Sequence, residues 1–211
     1  MHSISVWEKE SFFSPKDVII AGSGLVGLWC AYYLKIKDPS LSVAIIDRGI
    51  IPTGASTRNA GFACFGSATE LLEDIVNMGE EKMLQIVEMR YKGLERIQKV
   101  FRKKEIDFNI CGGYELITSK NKYSRKELKS HIKRLNKLIA KVIKSDRIFK
   151  FADDKIKHFG FRNVDHLLEN NLEGYLHSGK LCQVLLQKVQ CMGVTVLNGL
   201  RSGLLKTLIV K

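Results

Sequence analysis

Hydrophobic positions in this chain alternate between short solid runs and longer spaced series. Val18-Ile19-Ile20-Ala21 is an unbroken apolar run ending in glycines, the pattern of a strand buried on both faces. Leu25 to Lys35 follows with apolar and helix-forming residues, Asp38-Pro39-Ser40 breaks it, and Val43-Ala44-Ile45-Ile46 is a second solid run. The spacing predicts strand, helix and strand within about thirty residues, with parallel strands and a right-handed crossover.

Further on the helical period takes over. Ser67-Ala68-Thr69-Glu70 fits a capping box, so a helix is expected to open there. Gly79 is expected to divide it from a second helix that opens with Glu80-Glu81 and closes with Arg102-Lys103-Lys104, charges that complement the helix dipole. Met83, Ile86, Tyr91, Leu94 and Ile97 supply its apolar faces. Phe108 to Thr118 alternates loosely around Cys111-Gly112-Gly113 and reads as strand material, and Ser124-Arg125-Lys126-Glu127 offers another capping box. Leu128, Ile132, Leu135, Ile139 and Val142 then recur at spacings of four and three, leaving most lysines and arginines on the opposite face. Residues 149–171 show no regular pattern. A helix is expected over Lys180 to Cys191 and a strand over Val194 to Leu197, while Thr207 to Val210 is long enough for one short strand.

Composition adds a folded core, with 45% hydrophobic and 27% charged residues in 211. No run approaches the ~20 apolar residues of a membrane span, and residues 1–13, with Glu8, Lys9 and Glu10, lack a secretory apolar stretch. A cytoplasmic protein with no membrane partner is expected. Five cysteines without a two-residue-spaced pair suggest neither a disulfide framework nor a zinc site, and most are expected to be small buried apolar residues. The five histidines show no metal-ligand spacing, so no metal is expected. The net charge of +12 is regional: residues 120–150 hold twelve Lys and Arg against Glu127 and Asp146, a net of +10. That leaves a solvated helix face or a module for nucleic acid or another anionic surface. Lysines without interleaved aromatics beyond Tyr123 and Phe149 favour the first, so nucleic acid is not the expected partner.

The candidate chemistry lies at the first strand–helix junction, Gly22-Ser23-Gly24-Leu25-Val26-Gly27. Such a turn lets backbone N–H groups and the helix dipole face a pyrophosphate, with Gly22 forming the turn, Gly24 admitting the phosphate and Gly27 allowing close packing. Asp47 ends the second strand twenty residues after Gly27, where a carboxylate accepts hydrogen bonds from an adenosine ribose and repels a 2′-phosphate, disfavouring NADP. The motif does not separate FAD from NAD, which present the same ADP moiety. Residues 51–62, Ile51-Pro52-Thr53-Gly54-Ala55-Ser56-Thr57-Arg58-Asn59-Ala60-Gly61-Phe62, form a loop able to lie against an extended cofactor, and Arg58 is placed to neutralise pyrophosphate or reduced-flavin charge.

Asp47-Arg48-Gly49 followed by Gly54 to Gly61 resembles the second motif of the D-amino-acid oxidase superfamily, which includes glycine oxidase, sarcosine oxidase and related amine oxidases. Cys111-Gly112-Gly113-Tyr114 is similar to where such enzymes enter the substrate domain, and Gly174 through Val196 to where they return to the FAD domain. The resemblance implies an α/β fold: a Rossmann-like FAD-binding domain with an inserted α+β substrate domain. It divides the chain into an FAD-binding segment (16–106), part of a substrate domain (107–173) and an incomplete return to the FAD domain (174–211). It further implies that Gly22, Ser23, Gly24 and Gly27 meet the pyrophosphate, Asp47 the ribose, and Ser56, Thr57, Arg58, Asn59, Ala60 and Gly61 the pyrophosphate and isoalloxazine side, with Val26, Arg48 and Ala55 also among the cofactor-binding residues. Some relatives attach flavin through a histidine in this loop, whereas this chain has none between His2 and His131, which implies non-covalent FAD.

The implied activity is oxidation of the C–N bond of an amino acid or other amine by hydride transfer to flavin. No side chain is assigned as catalytic base, and none is needed if the amine arrives neutral. Members of the superfamily run to several hundred residues, so the fold is expected to be truncated at its carboxyl end, with apolar surface left uncovered. An inactive or partner-dependent fragment is therefore the alternative to a working enzyme.

Overall fold

The computed structural model describes residues 4–200 apart from Lys122 and Asp146, and the strand considered at 207–210 lies outside the described residues. The chain divides into two compact units, one of residues 1–60 and 177–211, the other of residues 61–176.

The first unit opens with a helix that the apolar pattern did not signal. The Ser5 hydroxyl accepts the Glu8 N–H and the Glu8 carboxylate accepts the Ser5 N–H, which starts α1 (Val6–Ser11) without any buried residue. Strand β1 (Val18–Ala21), helix α2 (Leu25–Lys37) and strand β2 (Val43–Ile46) then form the expected unit, with Val18 to Ala21 paired in parallel with Val43 to Ile46. All four residues of β2 are buried, as the solid apolar run requires of a strand covered on both faces, whereas β1 is only partly covered and Ile19 is exposed. The break after α2 is closed by the buried Lys35, whose ammonium donates to the carbonyls of Pro39 and Leu41.

The second unit begins with the two-residue strand β3 (Phe62–Ala63) and α3 (Ala68–Met78), opened by the Ser67–Glu70 capping box. Gly79, at φ +85°, ends α3 and opens α4 (Glu80–Val100), the division expected from its sequence position. There follow β4 (Asn109–Ile110), β5 (Gly113–Ile117), α5 (Arg125–Ile139), β6 (Phe149–Phe151), α6 (Lys155–His158), β7 (His166–Asn170) and β8 (Gly174–Tyr175). They make two antiparallel three-stranded sheets, in the orders β3-β8-β4 and β5-β7-β6. Phe65, Met83, Val87, Leu128, Leu135 and Ile139 meet Ile117, Phe149 and Leu168 of the larger sheet in one core. Asn136 of α5 clasps β6, donating to the Phe149 carbonyl (2.8 Å) and accepting its N–H (2.9 Å).

Helix α7 (Ser178–Cys191), whose Lys180 N–H is accepted by the His177 ring, returns the chain to the first unit, and β9 (Thr195–Leu197) pairs in parallel with β2. The parallel order β1-β2-β9 puts β2 in the centre.

Two sequence expectations are corrected. The unpatterned stretch 149–171 contains β6, α6 and β7, because β7 buries Glu169 and Asn170 and a polar pair interrupts its apolar run. The compact units part at 60/61 and 176/177, and α3 and α4 pack with α5 in the second unit. Of the five cysteines only Cys182 is buried. Cys30 points outward from α2, Cys64 and Cys111 flank short strands, and Cys191 ends α7.

Candidate functional site

The site is assembled where β1, β2 and β9 end in the first unit. The chain leaves β1 through Gly22, at φ +102°, whose N–H donates to the Ile46 carbonyl of β2 (2.8 Å). Gly24 then caps α2 without any side chain of its own, and α2 presents its N-terminal dipole and amides to the turn. Gly27 brings α2 down onto β1: a Cβ there would lie 2.0 Å from the Gly22 carbonyl oxygen and 3.2 Å from Ile20 Cγ2.

Asp47 is built into the same junction. Its Oδ2 accepts the Ser23 N–H (2.7 Å) and the Ser23 hydroxyl (2.9 Å), its Oδ1 accepts the Gly49 N–H (2.7 Å), and Ser23 is fully buried. Its backbone N–H donates to Leu197 O (2.9 Å), and its carbonyl accepts the Leu200 N–H (3.0 Å). Burial pushes the Asp47 carboxyl up, but the hydrogen bonds from Ser23 and Gly49 and the Arg48 charge outweigh it and hold the group below the usual carboxylate range. The carboxylate is therefore ionised at neutral pH. Of the roughly four acceptor positions a carboxylate offers, Ser23 and Gly49 use three, which leaves a position on Oδ1 for a ligand hydroxyl.

Ser56 completes the turn from the following loop. Its hydroxyl accepts the Leu25 N–H (3.0 Å), a first-turn amide of α2, and keeps its own hydrogen to donate. A Cβ on Gly24 would come within 2.9 Å of this oxygen.

Around these groups lies a cavity of about 680 Å³. Among the residues expected at the site, Gly22, Gly24, Asp47, Arg48 and Ser56 line it. Ser23 and Gly27 stand behind the lining, Ser23 orienting Asp47 and Gly27 fixing the approach of α2. Val26 is 87% exposed on the outward side of α2 and does not line it. Ala55, Thr57, Arg58, Asn59 and Ala60 are also outside the lining. Thr57 donates to the Pro52 carbonyl (2.8 Å) and Asn59 to the Ala55 carbonyl (2.9 Å), which shapes the loop, while Arg58 is exposed. Gly61 belongs to the second unit, at φ +70°, and a Cβ there would meet the Leu176 carbonyl at 2.3 Å.

Pro52, Thr53 and Leu200 line the cavity without having been singled out. Pro52 and Thr53 lie in the loop already noted; Leu200 has no local motif and arrives through the pairing of β9 with β2. Glycine amides, a helix N-terminus, the cationic Arg48 and an ionised acceptor together suit an anionic diphosphate joined to a sugar with free hydroxyls. Glycine at 27, where a Cβ would collide with the Gly22 carbonyl, is what lets the start of α2 and its amides lie against the turn.

Comparisons with known proteins agree with this geometry. The profile of the family described as DAO, FAD dependent oxidoreductase, matches residues 17–204. Iminodiacetate oxidase from Chelativorans sp. BNC1 superposes with a TM-score of 0.60 at 20% identity, over 86% of this chain and 46% of that one. Glycine oxidase from Bacillus cereus ATCC 14579 gives 0.57 at 19% identity, over 87% of this chain and 46% of that one. Thiamine thiazole synthase from Oryza sativa subsp. japonica is 46% identical over 44 residues, which is 21% of this chain and 12% of that protein. The chain thus spans under half the length of the structures it superposes on, and these likenesses show the fold: mixed α/β, of the FAD-binding Rossmann-like type.

Proposed function

We propose, from the premise that the chain belongs to the DAO family of FAD dependent oxidoreductases, that it holds FAD non-covalently and serves oxidation of the C–N bond of an amino acid or other amine. The observation that carries the reading is the Ser23–Asp47–Gly49 hydrogen-bond set at the mouth of a glycine turn. In this reading the amides of the turn and the start of α2 bind the pyrophosphate, with Arg48 adding positive charge. The free position on Asp47 Oδ1 binds a ribose hydroxyl, and the Ser56 hydroxyl donates to a phosphate oxygen while Leu25 donates to it. Val26, Ala55, Thr57, Arg58, Asn59, Ala60 and Gly61 remain proposed contacts on the strength of the resemblance alone. FAD supplies the two-electron acceptor for the reaction. The amine substrate class follows from the resemblance and from the names of the two oxidases above.

The purified chain is expected to carry visible flavin absorption, and acid precipitation to release FAD into the supernatant. Flavin that stays with the precipitate would overturn the non-covalent reading; saturable NAD binding without FAD binding would overturn the cofactor assignment. Anaerobic mixing with glycine, D-alanine or iminodiacetate is expected to bleach the flavin, and bleaching by glycerol 3-phosphate alone would move the reaction from C–N to C–O oxidation. A second reading is that the chain binds FAD but is inactive alone or dependent on a partner. Bound FAD that no amine bleaches would favour it.

A further inference from the structure

Helix α5 carries a row of positive charge that nothing in the proposed reaction uses. Its Leu128, Ile132, Leu135 and Ile139 are at most 5% exposed in the core of the second unit. On the opposite side Lys126, Lys129, Lys133 and Lys137 are all exposed. Their spacings of three, four and four place them within about 80° of the helix circumference and along about 16 Å of its axis. The neighbouring arginines are committed elsewhere, Arg125 to Asp153 (3.0 Å) and Arg134 to Glu80. The acid of the first turn, Glu127, is held by the Ser124 cap. Among the described residues, no ion pair involves any of the four lysines.

A solvated face does not call for such a row, because like charges one turn apart destabilise a helix. The same unit shows the usual arrangement in α4, where acids and bases interleave and Lys92 pairs with Glu88 at 2.6 Å. From this contrast we infer, against the expectation of a solvated face without a membrane partner, that the outward face of α5 is a docking surface for an anionic membrane, held by acidic lipid headgroups against Lys126, Lys129, Lys133 and Lys137.

The chemistry of the face selects a headgroup plane. Lysine is a mobile point charge without the planar fork that arginine brings to a single phosphodiester, and both arginines of α5 are already paired. Nucleic-acid strands are held by stacking as well as charge, yet among the described residues no large hydrophobic side chain is exposed between Leu116 and Phe159. The apolar face of α5 is buried in the core, so attachment is electrostatic and peripheral, without insertion. A charged plane needs no groove, and each lysine near it contributes about fivefold to partitioning, hence several hundredfold for four.

Vesicle co-sedimentation of the purified full chain tests this. The chain is expected to bind phosphatidylserine-containing vesicles at low salt, to leave them as salt is raised, and to ignore phosphatidylcholine. The triple variant Lys129→Glu/Lys133→Glu/Lys137→Glu should bind at least about a hundredfold more weakly. The variant Lys9→Glu/Lys37→Glu/Lys82→Glu, with the same change in net charge at exposed positions elsewhere, should lose less than about tenfold. Circular dichroism guards against misfolding, and Lys→Gln at 129, 133 and 137 provides a milder second variant expected to lose vesicle binding in the same direction. Equal losses in the two charge-reversal variants, no binding to phosphatidylserine, or tighter binding to an oligonucleotide than to vesicles would each overturn the inference. FAD content should be unchanged in all variants, which keeps this test separate from the cofactor assignment.

Discussion

A single methyl group at Gly27 probes the whole construction of the nucleotide turn. In Gly27→Ala the new carbon would sit 2.0 Å from the Gly22 carbonyl oxygen, a backbone atom, and 3.2 Å from Ile20 Cγ2. The turn must retreat by about 1 Å, and overpacking of this kind costs about 1–3 kcal/mol. Gly22 cannot move alone, since its N–H is bonded to Ile46 and the next residue donates twice to Asp47. Weakening a hydrogen bond to a charged group adds about 1.5–3 kcal/mol, partly the same strain counted again. About 2 kcal/mol of lost cofactor binding is a conservative figure, a factor of about thirty in FAD affinity. Gly24→Ala is the internal comparison: its methyl would meet only the Ser56 hydroxyl at 2.9 Å, a side-chain atom able to rotate away. FAD titration by fluorescence quenching, with thermal unfolding in parallel, should rank Gly27→Ala as the more damaging in both. A Gly27→Ala protein with unaltered FAD affinity and Tm would refute the close approach of α2 to the turn.

Asp47→Asn removes the ionised acceptor shared by Ser23 and Gly49 and should weaken FAD binding at least about tenfold, measured by the same titration. Because the folded pKa of Asp47 is lowered, its stabilisation is present above about 3.8 and is lost as pH falls through the folded value, so acid unfolding below that point should lose part of its steepness in the variant. Glu173 behaves oppositely. Burial pushes its carboxyl up to about 7 against the N–H groups of Phe65 and Gly66, so the folded protein binds the proton more tightly than the unfolded chain. Stability is then greatest below pH 4.5 and declines as pH rises to about 7, by roughly 2 kcal/mol after allowance for solvent screening. Glu173→Gln should flatten that decline in chemical denaturation across the same pH range; an unchanged slope would contradict the burial. Asn136→Ala leaves both the Phe149 carbonyl and its N–H without their partner and should cost about 1–3 kcal/mol in urea unfolding, and a cost near zero would show that the clasp of β6 by α5 carries no weight.

How far these features could be read in advance depended on whether the residues concerned were local in sequence. The turn at Gly22–Gly27, the strand at Val43–Ile46 and the capping boxes at Ser67 and Ser124 are each set by a few adjacent residues, and pattern alone located them. The helix at Val6 was equally local, a Ser5–Glu8 box, but it buries nothing and so left no apolar period to find. Strand β7 was hidden for the converse reason, since it buries Glu169 and Asn170 with partners supplied from elsewhere, among them Lys150 and Lys155.

The site divides along the same line. Spacing placed Asp47 correctly at the end of a strand, but its present partners are Ser23 and Gly49, a pairing that depends on how the turn folds back over β2. Ser23 therefore changes from a residue expected to face a phosphate into a buried one that orients the carboxylate. Ser56 gains a role that no spacing expresses, because its contact with Leu25 spans thirty-one residues and closes only when the loop after β2 returns to the start of α2. Leu200 is further still, brought to the cavity by the pairing of β9. Arg58, the side chain whose charge suggested it most strongly, lies exposed outside the cavity lining, and Arg48 occupies that edge. Charge in a loop marks a candidate, whereas hydrogen bonds that close across the sheet decide which candidates line the cavity.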